Sequence, residues 1–519
     1  MASAQGHCLG AAATSRYLYR KGPRGVDRAP GRTRRLTPVT RALFLCVAIV
    51  HALLLFINWP HLTDPLIRHD DYPAFFGDEH HFYPKTLSEG RWLNYWWMAR
   101  ETMWPAWFAF QFYTLAWSVF SAAAALLAFG HKPEQRMYAV LCAILIAISP
   151  QAYLIAGWYN TLGAGIWVVA LFALIAYYGS ARTARIAFLI LGPVSMLAYT
   201  TYPLLMAALV IVRRDMRRSL GDAVLLTALV GLSIVLGMLL MYSINFYQFG
   251  IFGLEIAHWR TPSPATDLQS LLGNLDVVLG FLSLIYPAHG AGMAGFGIFV
   301  TLLMAAAIVV VIKAHPAEGL YLLLGVSLVF GVLIANGLKE GVELPVRASI
   351  GSWVFLAIGL ARATQILAKR SNSRVLPLAT AMFAALYSGH LLKNTHRFTP
   401  WLDETRAFAE NLPQDIDEFA VYGHIWGFPG AYEAHIHHYY GLTARIRQVT
   451  GLIGLYCDNP LETCHTDPPF DPNEADDAFL VQRVGDMVFV RLPSDLPADW
   501  FEMPYNAELH AAHADNRTR

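Results

Sequence analysis

The chain has 519 residues, 55% of them hydrophobic and only 14% charged, with a formal net charge of +1. Soluble domains carry about a quarter charged residues, so the composition excludes an ordinary soluble protein. Near-neutrality also removes any bulk electrostatic case for a nucleic-acid partner. Apolar runs long enough to cross a hydrocarbon core of about 30 Å recur along the chain. The expected fold is mainly α: a polytopic helical membrane protein with a small α/β extracytoplasmic domain at its C-terminus.

In chain order, residues 1–41 carry nine Lys or Arg against one acid, Asp27, and read as a basic cytoplasmic tail. The stretch is too long and too basic for a cleaved signal peptide. A first span at about 42–62 then acts as an uncleaved anchor. Further spans are expected at about 105–129, 137–155, 162–179, 223–244, 293–312, 319–335, 346–366 and 375–392. The connections "HKPEQR" (131–136), "SARTAR" (180–185), "RRDMRR" (213–218) and "KRSNSR" (369–374) are basic, hence cytoplasmic by the positive-inside rule. Those at 63–103, 156–160, 246–276 and 336–345 face outward. The apolar stretch 186–212 has basic flanks on both sides, so it must rise and return as two short helices, turning at "YTTYP" (199–203) where Pro203 breaks the helix. A turn at that depth is tolerated where it is buried in protein or lines a cavity. "VVLGFLSLIYP" (277–287) is short for a span and is expected to be interfacial or re-entrant.

Eleven crossings leave the C-terminus outside an inner (plasma) membrane, with the multi-span domain covering 42–395. From 396 to 519 the composition is that of a soluble domain: "LDETRAFAENL" (402–412) reads as a helix, and "FAVYGHIWGF" (419–428) as a strand. "AFLVQRVGDMVFVRL" (478–492) reads as a hairpin turning at Gly485–Asp486. Cys457 and Cys464 frame "CDNPLETC", a loop that a disulfide would close in an oxidising compartment. Cys46 and Cys142 fall in apolar runs, where a free thiol packs as a small hydrophobe.

The outer loop 63–103 is unusual for so apolar a chain. "HDDY" (69–72) and "GDEHH" (77–81) put four carboxylates, Asp70, Asp71, Asp78 and Glu79, within ten residues. Trp92, Tyr95, Trp96 and Trp97 suit an interfacial aromatic belt, but a belt does not account for the acids. The order Asp78-Glu79, Phe82-Tyr83, then Gly90-Arg91-Trp92-Leu93 resembles the first outer loop of the GT-C class of integral-membrane glycosyltransferases. Within that class it resembles the phage-type O-antigen glucosyltransferases. The short paired helices around "AYTTY" and the C-terminal extracytoplasmic domain extend the resemblance, which is sharp over residues 70–97. It implies a polyprenyl-phosphate sugar donor and a glycan or lipid acceptor of the cell envelope.

Such a reaction needs a carboxylate within hydrogen-bond reach of the acceptor hydroxyl as general base. It also needs cations to hold the leaving phosphate. Asp78 is the first candidate for the base, with Glu79 or Asp71 orienting the acceptor or a divalent metal; Asp70 belongs to the same set. The cations expected to hold substrate are Arg91, Lys85, His258, Arg260 and Arg347, with His81 and Tyr83 beside them. Lys85 has an alternative partner in Glu89, one helical turn on. His80 and His81, or the alternating "EAHIHHYY" (433–440), offer metal ligands without a defining spacing. The competing reading is a secondary transporter or flippase of a lipid-linked saccharide, which would place ionisable groups near the bilayer midplane. A polysaccharide polymerase and a glycan-binding scaffold are further alternatives.

Overall fold

A computed structural model describes residues 37–100, 102–214, 218–257, 260–290, 293–413, 440–457 and 480–492, together with 415, 416, 418–423, 425, 428, 430, 431, 434, 436, 469 and 470. The protein is a polytopic helical membrane protein with a small sheet near its C-terminus. Among the described residues, eight helical segments are long and apolar enough to cross a membrane, or nine when a bent pair is counted as one span. Seven of the eight are built on α1 (Pro38–Ile57), α5 (Ala106–Phe129), α11 (Leu220–Phe249), α14 (Ala294–Ala314), α15 (Pro316–Glu340), α16 (Ile350–Ser371) and α17 (Val375–His396). Shorter helices α8 (Gly163–Tyr178), α9 (Ala181–Met196) and α10 (Tyr202–Ile211) lie between them.

Two helix breaks leave backbone groups to be satisfied, and the sequence supplies partners at both. The expected span 137–155 is bent by 47° between α6 (Pro133–Ala147) and α7 (Pro150–Ile155). Pro150 has no N–H and stops the ladder. The carbonyls of Leu145 and Ala147 accept instead from the indole N–H groups of Trp353 and Trp117, at 2.7 and 3.1 Å. The second break lies between α9 and α10, where two short helices were expected. There the carbonyls of Leu197 and Ala198 accept from the Leu93 backbone N–H and the Asn94 amide, at 3.1 and 2.9 Å. The outer loop thus satisfies the break, in line with the need to pair every backbone group in lipid.

The stretch at 277–287 extends further than its sequence suggested. α12 (Leu268–Gly273) and α13 (Leu275–His289) together pass as long enough to span. At the start, Ser263 and Ala265 donate to the carbonyls of Glu340 and Lys339 in the last turn of α15. At the finish, Gly290 abuts Gly297 in the first turn of α14.

The C-terminal module begins with α18 (Thr399–Glu410). Its four-stranded sheet has the order β2-β1-β4-β3, with β1 (Glu418–Tyr422) central and parallel to both β2 (Ile453–Tyr456) and β4 (Met487–Arg491). Helix α19 (Tyr440–Thr450) provides the crossover from β1 to β2, as parallel pairing requires. β3 (Leu480–Val484) and β4 form the expected hairpin, turning at Gly485 with φ +65°. Phe419, Val421, Ile446, Val488, Val490 and Trp401 close the module's core. Cys457 is disulfide-bonded; Cys464 lies outside the described residues. Membrane helices and sheet module belong to one compact unit beginning at Pro38.

Candidate functional site

The loop 63–103 is folded into α2 (Tyr72–Phe76), α3 (Glu79–Glu89) and α4 (Trp92–Met98). Two glycines set its turns. Gly77 ends α2 at φ +70°, a left-handed conformation that costs glycine nothing. Gly90 turns α3 into α4 at φ +69°, so close to α11 that an added Cβ would sit 1.7 Å from Met241 Sδ. Trp92 then packs on Tyr83, Tyr95 and Phe249 and donates its indole N–H to Asn245 at 2.6 Å. The "GRW" turn is therefore the joint that fixes the loop to α11, and Tyr83, expected at the substrate, is part of its aromatic packing.

The four acids fall into different surroundings. Asp71 is fully buried; its carboxylate accepts from the Asn160 backbone and side-chain amides at 3.1 and 2.9 Å and from the Thr161 backbone at 2.7 Å. Burial nevertheless pushes its carboxyl up to about 6. With no exposed surface and three donors, Asp71 holds the turn between α7 and α8; its expected place at the acceptor does not fit this burial. Asp78 is half-buried at the residue preceding α3, where a carboxylate suits the free N–H groups of a helix start. The side chains of Glu79 and His81 lie outside the described ones, as does His80.

Asp70 is the acid at the centre of the cationic surface. It accepts from the Trp158 indole N–H at 2.5 Å. Burial acts to raise its carboxyl, but the charges of His69, Lys85 and Arg91 and the Trp158 bond outweigh it and hold the group at about 2. The Arg347 guanidinium lies 4.4 Å from the Trp158 ring centroid. Arg68 sits within electrostatic reach of both Asp70 and Arg347, donates to the Ala434 carbonyl at 3.2 Å and stacks on Phe398. Lys85 lies over the Phe82 ring at 5.2 Å. Glu89 pairs with Arg91 at 2.5 Å and Arg260 at 2.6 Å, replacing the local Lys85 pairing as its contact. Burial acts to raise the Glu89 carboxyl, and Arg91, Arg260 and Lys85 bring it below its ordinary value. Five cations, Arg68, Lys85, Arg91, Arg260 and Arg347, thus surround two partly buried acids, a surplus of three charges.

Arg68 also lines a cleft of about 80 Å³ between α1, α5, α7 and α17. Its walls are mostly apolar, among them Leu54, Phe110, Trp117 and Leu391, with Tyr153 and His61 also in the lining. His61 contacts Thr399 at 3.2 Å, and burial lowers it to about 4, so it is neutral at ordinary pH.

The structure brings together Asp70, Lys85, Arg91, Arg260 and Arg347 from the expected set. It adds Arg68, Trp158 and Tyr153. Arg68 was within reach of the sequence, two residues before Asp70 in "IRHDDY"; Trp158 and Tyr153 carry no local signal, since only tertiary packing places them here. His258 lies outside the described residues, as do Glu433, His435, His437 and His438. Among the described residues, no three His, Cys, Asp or Glu side chains come together as a metal site. No protein-family profile matches this chain, and no curated protein is significantly similar to it in sequence.

Proposed function

We propose that this chain is a glycosyltransferase of GT-C type, moving a sugar from a polyprenyl-phosphate donor to a hydroxyl of an extracytoplasmic glycan or lipid. The observation that carries the reading is the continuity between the apolar cleft and the cationic surface around Asp70. A lipid phosphate needs both: hydrocarbon walls for its chain and guanidinium groups for its head. Resemblance of residues 70–97 to the first outer loop of that enzyme class points the same way. Eleven crossings follow if α12–α13 does not cross: α1, α5, α6–α7, α8, α9, α10, α11 and α14 to α17. Basic connections then face the cytoplasm and the sheet module lies outside.

In this scheme the acceptor hydroxyl attacks the anomeric carbon and passes its proton to a carboxylate. The bond from that carbon to the phosphate oxygen breaks, and the polyprenyl phosphate leaves with the electron pair, its charge held by Arg68, Arg347, Lys85 and Arg91. Asp70 is the base. At about 2 its carboxyl is a weak base in the cationic surround, but a bound phosphate neutralises those cations and restores its basicity.

The test is transfer from radiolabelled polyprenyl-phosphate sugars to a membrane-glycan extract by the purified protein. Asp70→Asn should lower the rate at least a hundredfold with folding unchanged, since general-base catalysis contributes about 10²–10⁴. Asp78→Asn should retain most of it. The reverse pattern moves the base to Asp78. Undiminished transfer in both variants removes the chemistry from this loop, and no transfer by folded wild type across a broad donor panel puts the flippase reading ahead.

A further inference from the structure

At the opposite end of the bundle, the entry to α11, the first turn of α15 and the latter half of α16 converge on one carboxylate. Glu318 takes Arg362 in a two-point pair, Nε to Oε1 at 2.8 Å and Nη2 to Oε2 at 3.0 Å. Arg218 Nη1 stands 3.6 Å from the same Oε2. Arg214 is within electrostatic reach of Arg362, Arg218 and Glu318, and donates to the Phe129 carbonyl at 2.6 Å. Three guanidinium groups therefore share one carboxylate, leaving two positive charges uncompensated; the intervening residues 215–217 add one acid and one base.

The carboxylate at the centre of this cluster is shielded, while Arg214 is exposed and Arg218 half-buried. Glu318 and Arg362 are 8% and 9% exposed, so water screens the pair poorly. Arg218 Nε is buried without a hydrogen-bond partner among the described residues. Tyr321 donates its hydroxyl to the Ser219 carbonyl at 2.8 Å, holding the α11 entry against α15 so the cations cannot readily separate. Directly beside them the first turns of α11 and α15 expose Leu220, Val224 and Leu320, at 83%, 62% and 54%.

We infer that Arg214, Arg218 and the Arg362–Glu318 pair form a site for the phosphate of an anionic phospholipid. The phosphate supplies the missing negative charge and accepts from Arg218. The acyl chains lie along the exposed apolar residues of α11 and α15, a surface free phosphate does not use. Basic pockets between spanning helices hold anionic headgroups in this way. The site lies at the far end of the bundle from Asp70 and does not depend on the proposed transfer reaction.

The full chain in detergent is titrated with phosphatidylglycerol, phosphatidylcholine or inorganic phosphate, and bound lipid is counted by native mass spectrometry. Phosphatidylglycerol should bind preferentially. The Arg214→Gln/Arg218→Gln variant, which leaves the Arg362–Glu318 pair intact, should bind it roughly tenfold more weakly, with phosphatidylcholine unchanged. Arg214→Gln alone should weaken it by about threefold, and this is the deciding variant if the double one does not fold. Equal weakening in an Arg370→Gln/Arg374→Gln control would show diffuse attraction and overturn the site. So would a lack of headgroup preference, or displacement of the lipid by millimolar inorganic phosphate.

Discussion

The carboxylates at 70 and 71 are chain neighbours that face different surroundings, and this difference decides what each can do. Asp71 accepts three hydrogen bonds inside a sealed turn, yet burial still holds its carboxyl near 6. Its native pKa therefore lies above the unfolded value of about 3.9. Stability from this group is fully present below about pH 4 and is lost as pH rises through about 6, by up to about 3 kcal/mol for a shift of about two units. Asp71→Asn removes the titration and sets an amide against the N–H donors. The melting-temperature advantage of wild type over Asp71→Asn should accordingly narrow between about pH 4 and about pH 6. A widening gap would mean that the three donors outweigh burial. Asp70 is shifted the other way, so its stability contribution is lost only as pH falls toward about 2.

At the scale of the element, α3 and α4 are placed by one turn. Gly90 is left-handed and pressed against Met241, while Trp92, Asn94 and Leu93 are bound to α11 and to the break between α9 and α10. Gly90→Ala introduces both a strained φ and a collision, and each is of the kind that costs about 1 kcal/mol or more. The variant should lower the melting temperature and raise hydrogen exchange in residues 79–98. Adding Met241→Ala should recover part of the loss, because it removes the collision and leaves the φ. Full recovery would mean the backbone conformation carries no cost; no recovery would mean the collision does not matter.

On the scale of the whole molecule, the sheet module is fastened to the outer loop through one buried arginine. Arg445 is 1% exposed and donates to both oxygens of Asp64, at 2.7 and 2.5 Å, while Arg406 adds a third contact at 2.5 Å. Tyr72 reaches Gln448 at 3.2 Å from the same face. Since Arg68 and Asp70 lie on the segment so held, the module sets the position of the cationic surface. Asp64→Ala strands a buried charge, a change of the class that costs about 3–5 kcal/mol. It should loosen residues 440–450 and 64–76 together in hydrogen exchange and lower transfer, while α14 to α16 keep their protection. Loosening confined to residues 440–450 would show that the module does not position the loop.

Much of this was legible along the chain. Hydropathy and the basic connections fix where apolar helices lie because the bilayer imposes a length on each one. The break near "YTTYP" and the hairpin at Gly485–Asp486 were legible because Pro and Gly act through local backbone geometry. The cluster of acids was visible too, but not their division of labour. Nothing local distinguishes Asp70 from Asp71: one meets Trp158 and a ring of cations, the other meets Asn160 and Thr161, all delivered from distant segments. The flanks of α12–α13 are likewise held by contacts with α14 and α15. Sequence by itself determines the membrane class and the segments, because those depend on composition and short periods. Only tertiary structure decides which carboxylate is sealed and which faces the cations, because burial and charge neighbours are properties of the packed molecule.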